Sequence, residues 1–189
     1  MMTQSGGQLS RRKLLGVFAS TMVIAAPVYS QTFGVLRGAG DIRKISMRSP
    51  RTGETLETIY WIEGEYIKPA LKEISHFMRD WREGSTIRID QRNIDIVAAT
   101  HRLLETDEPF TMLSGYRSPN TNAMLRRRSR GVARNSLHMK GMAADLRLNS
   151  RSVSQLARAG KACGSGGVGK YSRANFVHLD SGAVRTWGR

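Results

Sequence analysis

Two short strand-like segments near the C-terminus place polar side chains where a β-sheet can bring them together. If residues 143–148 form a strand, alternate side chains share a face, and Asp145 projects from one of these faces. If residues 175–180 form a second strand, His178 and Asp180 share a face. Should the two strands be neighbours, Asp145 and His178 converge on one point. The C-terminal half is therefore predicted to build a sheet that holds these segments side by side.

A third polar side chain, His138, precedes the first of these strands. Gly141 lies between His138 and Asp145 and tolerates the positive φ that a turn there needs. Two imidazoles and a carboxylate suit Zn²⁺, and three protein ligands leave a fourth position for water. A lone histidine is more often a surface or core residue, as we expect for His76 and His101. The prediction of a zinc site therefore rests on the set of three residues.

Helical periodicity dominates the chain before these strands. Apolar residues recur at helical spacing in residues 65–81 and 94–105. Two further helices are predicted at 121–130 and 152–162, and additional strands at 56–62 and 110–113, whereas residues 31–47 are predicted to be irregular. Helices before strands favour an α+β domain. We predict a single α+β domain in which a small antiparallel sheet carries the metal site and helices flank it.

The first thirty residues have the layout of an export signal. A basic stretch at Arg11-Arg12-Lys13 precedes an apolar run over 17–28 and small residues before Gln31. The run is shorter than the roughly 20 residues of a membrane span, so no stable transmembrane anchor is expected. The paired arginines resemble a twin-arginine signal. We predict a signal peptide over 1–30, a mature domain over 31–189 and a periplasmic or envelope location, with an uncleaved N-terminal anchor helix as the alternative.

Several motifs together resemble those of a known family. The pattern His138-x-x-Gly141-x-Ala143-x-Asp145, followed by His178-x-Asp180, is similar to the zinc motif of the LAS metallopeptidases. The block Ser114-Gly115-Tyr116-Arg117-Ser118, with Asn120 and Asn122 after it, resembles the murein endopeptidase K branch. Residues 125–133, 166–171 and 184–187 add to this similarity. It covers roughly residues 110–189, and more weakly the chain from residue 45.

The resemblance implies a hedgehog or D-Ala-D-Ala-peptidase-like fold and zinc-dependent hydrolysis of peptide cross-links in peptidoglycan. It implies that His138, Asp145 and His178 bind Zn²⁺, which polarises the scissile carbonyl and lowers the pKa of bound water. Arg117 matches an arginine that stabilises the developing oxyanion. A surface anion site or a structural ion pair is the alternative for this arginine. Contacts with the stem peptide are expected from four residues: Tyr116, Ser118, Asn120 and Ser136.

One departure from the family pattern concerns the general base. Dipeptidases of the superfamily carry a glutamate three residues before the last histidine, and Asn175 occupies that position here. Asp180 is either a substitute base or a partner that orients the His178 imidazole. A non-catalytic wall-binding protein and a D,D-carboxypeptidase therefore remain alternatives to an endopeptidase. The sequence leaves the preferred cross-link open.

The strongly basic composition points to anionic partners. The formal charge is +15, and Arg126-Arg127-Arg128 is the densest basic run. This run is either a solvated helix face or a contact for carboxylates of stem peptides and other anionic polymers. No aromatic residue lies between Tyr116 and Tyr171, whereas nucleic-acid sites often interleave aromatic and basic residues for base stacking. Nucleic acid is therefore not an expected partner.

Overall fold

The structure, a computed structural model, describes residues 40–129 and 131–188. The strands in this part of the chain are β1 (Ile42–Arg48), β2 (Thr55–Ile62), β3 (Glu65–Tyr66), β4 (Phe110–Ser114), β5 (Ala143–Arg147), β6 (Gly167–Tyr171), β7 (Phe176–Asp180) and β8 (Arg185–Gly188). The helices are α1 (Lys68–Phe77), α2 (Gln91–Leu103), α3 (Pro119–Arg128) and α4 (Val153–Ala162), together with a 3-10 helix over Leu137–Lys140. The predicted signal peptide lies outside the described residues.

The strands form one sheet in the order β3-β2-β1-β4-β5-β7-β6-β8. Pairs β1–β4 and β6–β8 are parallel and the other pairs are antiparallel. The predicted α+β class is confirmed, but the prediction of a small antiparallel sheet is wrong, because the sheet is mixed and has eight strands. Strands β1, β6 and β8 were missed because their local patterns are weak. Strand β3 was missed because residues 65–66 belong to the helix predicted over 65–81, which begins only at Lys68. These segments form strands because they pair with neighbouring strands, and the local sequence pattern does not predict that pairing.

Helices α2 and α4 cover one face of the sheet and start at well-defined caps. The Asp90 side chain accepts a hydrogen bond from the Asn93 backbone N–H at the start of α2, and Ser152 and Gln155 form a capping box at the start of α4. Helix α2 packs against β1, β5, β7 and α4, and α4 also packs against β6 and β7. No helix within residues 40–129 and 131–188 has the length and apolar character that crossing a bilayer requires.

Side chains along β5 and β7 point alternately into the apolar core and toward the opposite face of the sheet. Ala144 and Leu146 on β5, with Val177 and Leu179 on β7, are buried in the main apolar cluster. Burial of each larger side chain contributes about 1.5–3 kcal/mol, which fixes which face of each strand turns inward. The intervening positions, Asp145 and His178 among them, therefore project from the opposite face.

Candidate metal centre

Asp145 and His178 are opposed partners in the β5–β7 ladder. Paired residues on adjacent strands project from the same face at a separation of about 5 Å between Cβ atoms. In this pair, Nδ1 of His178 lies 2.9 Å from Oδ1 of Asp145. The sheet register therefore brings together two of the three residues that the sequence singled out.

His138 approaches the pair from the 3-10 helix that precedes β5. This helix ends at Gly141, which has a φ of 66°. That left-handed conformation is available to glycine at little cost, as predicted for the turn. Nε2 of His138 lies 3.2 Å from Nδ1 of His178 and 3.3 Å from Oδ2 of Asp145. The structure thus clusters all three residues, and the His138 side chain is buried.

Hydrogen bonds on the outer side of each imidazole decide which nitrogen faces the cluster. Nδ1 of His138 lies 2.7 Å from the carbonyl oxygen of Gly115, and since a carbonyl only accepts, this nitrogen carries the proton and Nε2 is left to bind. Nε2 of His178 lies 3.0 Å from Oδ2 of Asp180, so Nδ1 is the inward atom. Outer partners of this kind orient metal-binding histidines and raise their basicity.

The dimensions of the cluster fit a zinc ion. Ligand atoms about 2.0–2.1 Å from zinc and separated by tetrahedral angles lie roughly 3.4 Å apart. Nδ1 of His178 lies 3.2 Å from Nε2 of His138 and 2.9 Å from Oδ1 of Asp145, and Nε2 of His138 lies 3.3 Å from the other oxygen of that carboxylate, Oδ2. One ligand atom of each residue lies within 4.8 Å of those of the other two. Two imidazole nitrogens and one carboxylate are also a donor set that zinc prefers. The residues present therefore fit the metal.

The electrostatics of the cluster favour a cation. Burial opposes ionisation of Asp145, but the charge and hydrogen bond of His138 and the hydrogen bond of His178 outweigh it and lower the pKa of the carboxyl group. Burial also opposes protonation of His178, but hydrogen bonds to Asp145 and Asp180 raise its pKa to about 9. The carboxylates of Asp145 and Asp180 thus flank the His178 imidazole. A divalent cation can replace the protons that otherwise lie between the clustered side chains.

Asp180 lies behind His178 and is completely buried. Its carboxylate accepts hydrogen bonds from the backbone N–H groups of Gly167 and Gly182 at 3.1 and 2.9 Å, and from both terminal nitrogens of Arg185 at 3.0 and 2.7 Å. Burial raises its pKa, but the hydrogen bonds from His178, Arg185 and Gly182 lower it to about 2. Of the two roles that the sequence left open, this geometry favours orientation of the His178 imidazole over proton transfer.

Two glycines on β6 make room for side chains from β8. Gly169 is paired with both His178 and Trp187, and a Cβ atom at Gly169 would lie 2.6 Å from the Trp187 ring. A Cβ atom at Gly167 would lie 2.5 Å from both Arg185 and Asp180. The two glycines therefore leave the space that the side chains of Arg185 and Trp187 occupy.

Trp187 consequently lies beside the cluster. Its ring centroid is 5.3 Å from that of His178, and its indole nitrogen donates a 3.0 Å hydrogen bond to the Tyr171 hydroxyl. The half-buried ring therefore packs on Gly169 and borders His178.

Arg117 is held on the other side of the cluster. Its terminal nitrogen Nη2 lies 3.8 Å from Oδ2 of Asp145 and 3.3 Å from the Ser114 hydroxyl, and Nη1 donates to Asn122 Oδ1 at 3.3 Å. Burial lowers the pKa of this guanidinium and the Asp145 charge raises it. Ser114 is in turn the β4 partner of Asp145, so the sheet register also positions the cation.

The loop that carries Arg117 is anchored to the segment after α1. A Cβ atom at Gly115 would lie 2.5 Å from the Met78 carbonyl oxygen, so only glycine allows this approach. The Asp80 carboxylate accepts from the backbone N–H of Ser118 at 2.8 Å and from that of Arg82 at 3.0 Å. Sequence reasoning missed Asp80, since a single acidic residue after a helix carries no distinctive signal.

The other predicted site residues lie in different environments. Ser118 is buried and caps α3 through a hydrogen bond from the Thr121 backbone N–H. Tyr116 is partly buried against the apolar core, Asn120 is exposed on the first turn of α3, and Ser136 is buried before the 3-10 helix. None of these four side chains has a hydrogen bond to the clustered residues within the described chain. Their predicted substrate contacts remain predictions.

Asn175, the position of the missing glutamate, lies at the far end of β7. It is exposed in the turn between β6 and β7 with a φ of 53°. Asparagine tolerates this left-handed conformation better than most residues. A strand residue three positions from His178 also faces the opposite side of the sheet. The local backbone therefore explains why asparagine suits this position.

Comparison with known proteins agrees with this geometry. Residues 37–187 match the family described as peptidoglycan L,D-endopeptidase MepK. The chain is 36% identical over 181 residues to the peptidoglycan L,D-endopeptidase MepK of Escherichia coli strain K12, an alignment that covers 94% of this chain and 97% of that protein. It is 37% identical over 149 residues to the probable peptidoglycan L,D-endopeptidase MepK of Haemophilus influenzae, covering 77% and 78% of the two chains.

Proposed function

The chain belongs to the peptidoglycan L,D-endopeptidase MepK family, and from this premise we propose that it is a zinc endopeptidase that hydrolyses peptide cross-links of peptidoglycan. The observation that carries the proposal is the cluster of His138, Asp145 and His178, which brings two imidazole nitrogens and a carboxylate oxygen within 4.8 Å of one another. In this proposal Nε2 of His138, a carboxylate oxygen of Asp145 and Nδ1 of His178 hold the metal.

A bound zinc ion supplies Lewis-acid chemistry for amide hydrolysis. The surrounding residues orient the two imidazole rings and place a positive charge beside the metal site. Asp180 fixes the ring of His178 through the hydrogen bond at Nε2, and Gly115 fixes the ring of His138 at Nδ1. Arg117, held by Ser114 and Asn122 close to Asp145, offers a fixed positive charge to the oxygen that becomes negative as the scissile carbonyl is attacked.

The bond that this enzyme cleaves is proposed from its relatives. The proteins from Escherichia coli and Haemophilus influenzae are named L,D-endopeptidases, which favours an L,D bond such as the diaminopimelate–diaminopimelate cross-link. In this proposal the cross-link binds along the sheet face between Arg117, which follows β4 and lies near Asp145, and Trp187, which lies on β8 beside His178. Export to the cell envelope follows as part of the proposal, since peptidoglycan lies outside the cytoplasmic membrane.

The proposal is tested with the purified full-length chain loaded with zinc. It is incubated with muropeptide dimers that contain either a diaminopimelate–diaminopimelate or a D-Ala–diaminopimelate cross-link, and the products are identified by mass. We expect conversion of the first dimer to monomers, loss of this activity with a chelator and recovery on addition of zinc. The His178→Ala variant should be inactive, whereas His76→Ala, which changes an exposed histidine on α1, should retain activity.

Other outcomes of this experiment identify the alternatives. Release of a terminal D-Ala without conversion of dimers would indicate a D,D-carboxypeptidase. Binding of dimers without cleavage, with one zinc per chain, would indicate a wall-binding protein that retains the metal site. Either result would contradict the proposed endopeptidase activity.

A further inference from the structure

A cluster of arginines lies beside the segment that anchors Arg117. The guanidinium carbon of Arg82 is 4.1 Å from the ring centroid of Trp81, and that of Arg51 is 5.5 Å from the same centroid. Cations at these distances are attracted by the negative face of the indole ring. One aromatic residue thus gathers two guanidinium groups that would otherwise repel each other.

A third arginine extends this cluster toward α3. Burial lowers the pKa of Arg82, the Asp80 carboxylate raises it, and the nearby charges of Arg51 and Arg128 lower it further. Arg128 is in the last turn of α3 and is exposed, as are Arg51 and Arg82. None of these three guanidinium groups forms an ion pair with a carboxylate of the described chain.

The arginine cluster is connected to the candidate metal centre through Asp80. One carboxylate oxygen of Asp80 accepts from the backbone N–H of Arg82, and the other accepts from the backbone N–H of Ser118, the residue after Arg117. Asp80 therefore links the segment that carries Arg82 to the loop that carries Arg117, the guanidinium beside Asp145.

We propose that Arg51 and Arg82, both held against the Trp81 ring, form a subsite that binds free carboxylates of the peptidoglycan stem peptide next to the scissile bond. This inference rests on the proposed function and adds a substrate contact to it. Guanidinium groups bind carboxylates through paired N–H donors, and fixation by Trp81 reduces the side-chain entropy lost on binding. Stem peptides carry carboxylates that are not part of the cross-link, and these supply the complementary charge.

The test compares two dimers that differ only in charge. One carries free stem carboxylates and the other carries the same carboxylates as amides. The variant Arg51→Gln/Arg82→Gln keeps the backbone hydrogen bond to Asp80 and removes both charges. We expect KM for the free-carboxylate dimer to rise about tenfold or more, as for the loss of a charge-assisted hydrogen bond, with kcat changed less than about twofold. KM for the amidated dimer should be nearly the same in the parent and in the double variant.

A matched control removes one positive charge elsewhere. Arg158→Gln changes an exposed arginine on α4 and should leave KM for both dimers within about twofold of the parent. Trp81→Leu retains the charges but releases the guanidinium groups, so we expect an intermediate rise of about threefold. Equal effects of Arg51→Gln/Arg82→Gln on free and amidated dimers, or no effect on either, would overturn the subsite.

Two further measurements distinguish a stem-peptide subsite from a general polyanion site and from failure of the proposed function. If the parent chain cleaves neither dimer, the proposed function fails. Calorimetric titration with intact dimers then tests the subsite alone. Weaker binding of the free-carboxylate dimer by the double variant would support the subsite. If the double variant loses affinity for duplex DNA or anionic vesicles while its affinity for the muropeptides is unchanged, the arginines bind general polyanions and the subsite is refuted.

Discussion

Asp145 and His178 stand directly opposite each other on β5 and β7, with 2.9 Å between Oδ1 and Nδ1. Their separation is therefore set by the backbone hydrogen bonds of the sheet and not by a flexible loop. A shift of one residue in this register would turn His178 into the core and Leu179 outward. Because Val177 and Leu179 are buried, such a shift is strongly disfavoured, and the site inherits the rigidity of the sheet.

Replacement of a proposed ligand should remove the metal. Asp145→Ala and His178→Ala each leave two of three protein ligands, so we expect both variants to lose stoichiometric zinc after dialysis and to lose peptidase activity. Zinc content is measured by atomic emission on the purified proteins. His76→Ala is the control, because His76 lies on α1 and is exposed. A fully active, zinc-loaded Asp145→Ala variant would disprove the ligand set.

Asp180→Asn separates orientation of the imidazole from proton transfer. If Asp180 positions His178, the loss of its charge weakens zinc binding by about 10–100-fold, the range measured for outer partners of metal-binding histidines. Zinc affinity is measured by competition with a chromophoric chelator. A general base would show the reverse pattern, with unchanged zinc affinity and a rate lowered by about 10²–10⁴-fold.

Arg185→Met provides the matched variant for this experiment. It removes two hydrogen bonds to Asp180 but leaves the carboxylate and its contact with His178. We expect a smaller loss of zinc affinity than in Asp180→Asn. A loss in Arg185→Met that equals or exceeds that of Asp180→Asn would mean that the carboxylate does not act through His178.

Gly169→Ala should disturb the wall formed by Trp187. The new Cβ atom would lie 2.6 Å from the indole ring, and forced repacking of this kind costs about 1–3 kcal/mol. We expect a lower free energy of unfolding in urea and a higher KM for muropeptide dimers. Gly188→Ala is the control, since its nearest contact is 3.4 Å away.

A double-mutant cycle shows whether the ring is the cause. In a Trp187→Ala background the methyl group at residue 169 meets no indole, so the destabilisation by Gly169→Ala should largely disappear. The cycle requires unfolding curves for the parent, both single variants and the double variant. If the effects of the two changes simply add, contact with Trp187 is not the source of the loss.

Arg117→Lys tests the fixed positive charge beside the metal site. Lysine keeps the charge but cannot reproduce the two hydrogen bonds to Ser114 and Asn122. We expect kcat/KM to fall about 10²–10³-fold with one zinc per chain retained, and the control Arg158→Lys on α4 to be unaffected. Zinc loss in Arg117→Lys would indicate a structural role instead.

Some helices and strands agree with the sequence predictions, whereas others were missed. Asp90 begins the helix that periodicity predicted and Ser152 begins another predicted helix, and the strands predicted over 143–148 and 175–180 correspond to β5 and β7. Strand β1 was missed because residues 31–47 show little alternation, and β6 because its glycines indicate flexibility when read alone. Only the presence of β8 explains those glycines, since Gly167 and Gly169 are paired with Arg185 and Trp187.

The sequence by itself determined the types of ligand and the motif that identifies the family, because these depend on which side chains are present and on their spacing. Tertiary structure alone decided which imidazole nitrogen faces the cluster, since the deciding acceptors, Gly115 and Asp180, belong to separate segments. It also supplies the contacts that support an orienting role for Asp180. Burial and five hydrogen bonds from four residues occupy this carboxylate, and such contacts depend on residues that only the folded sheet brings together.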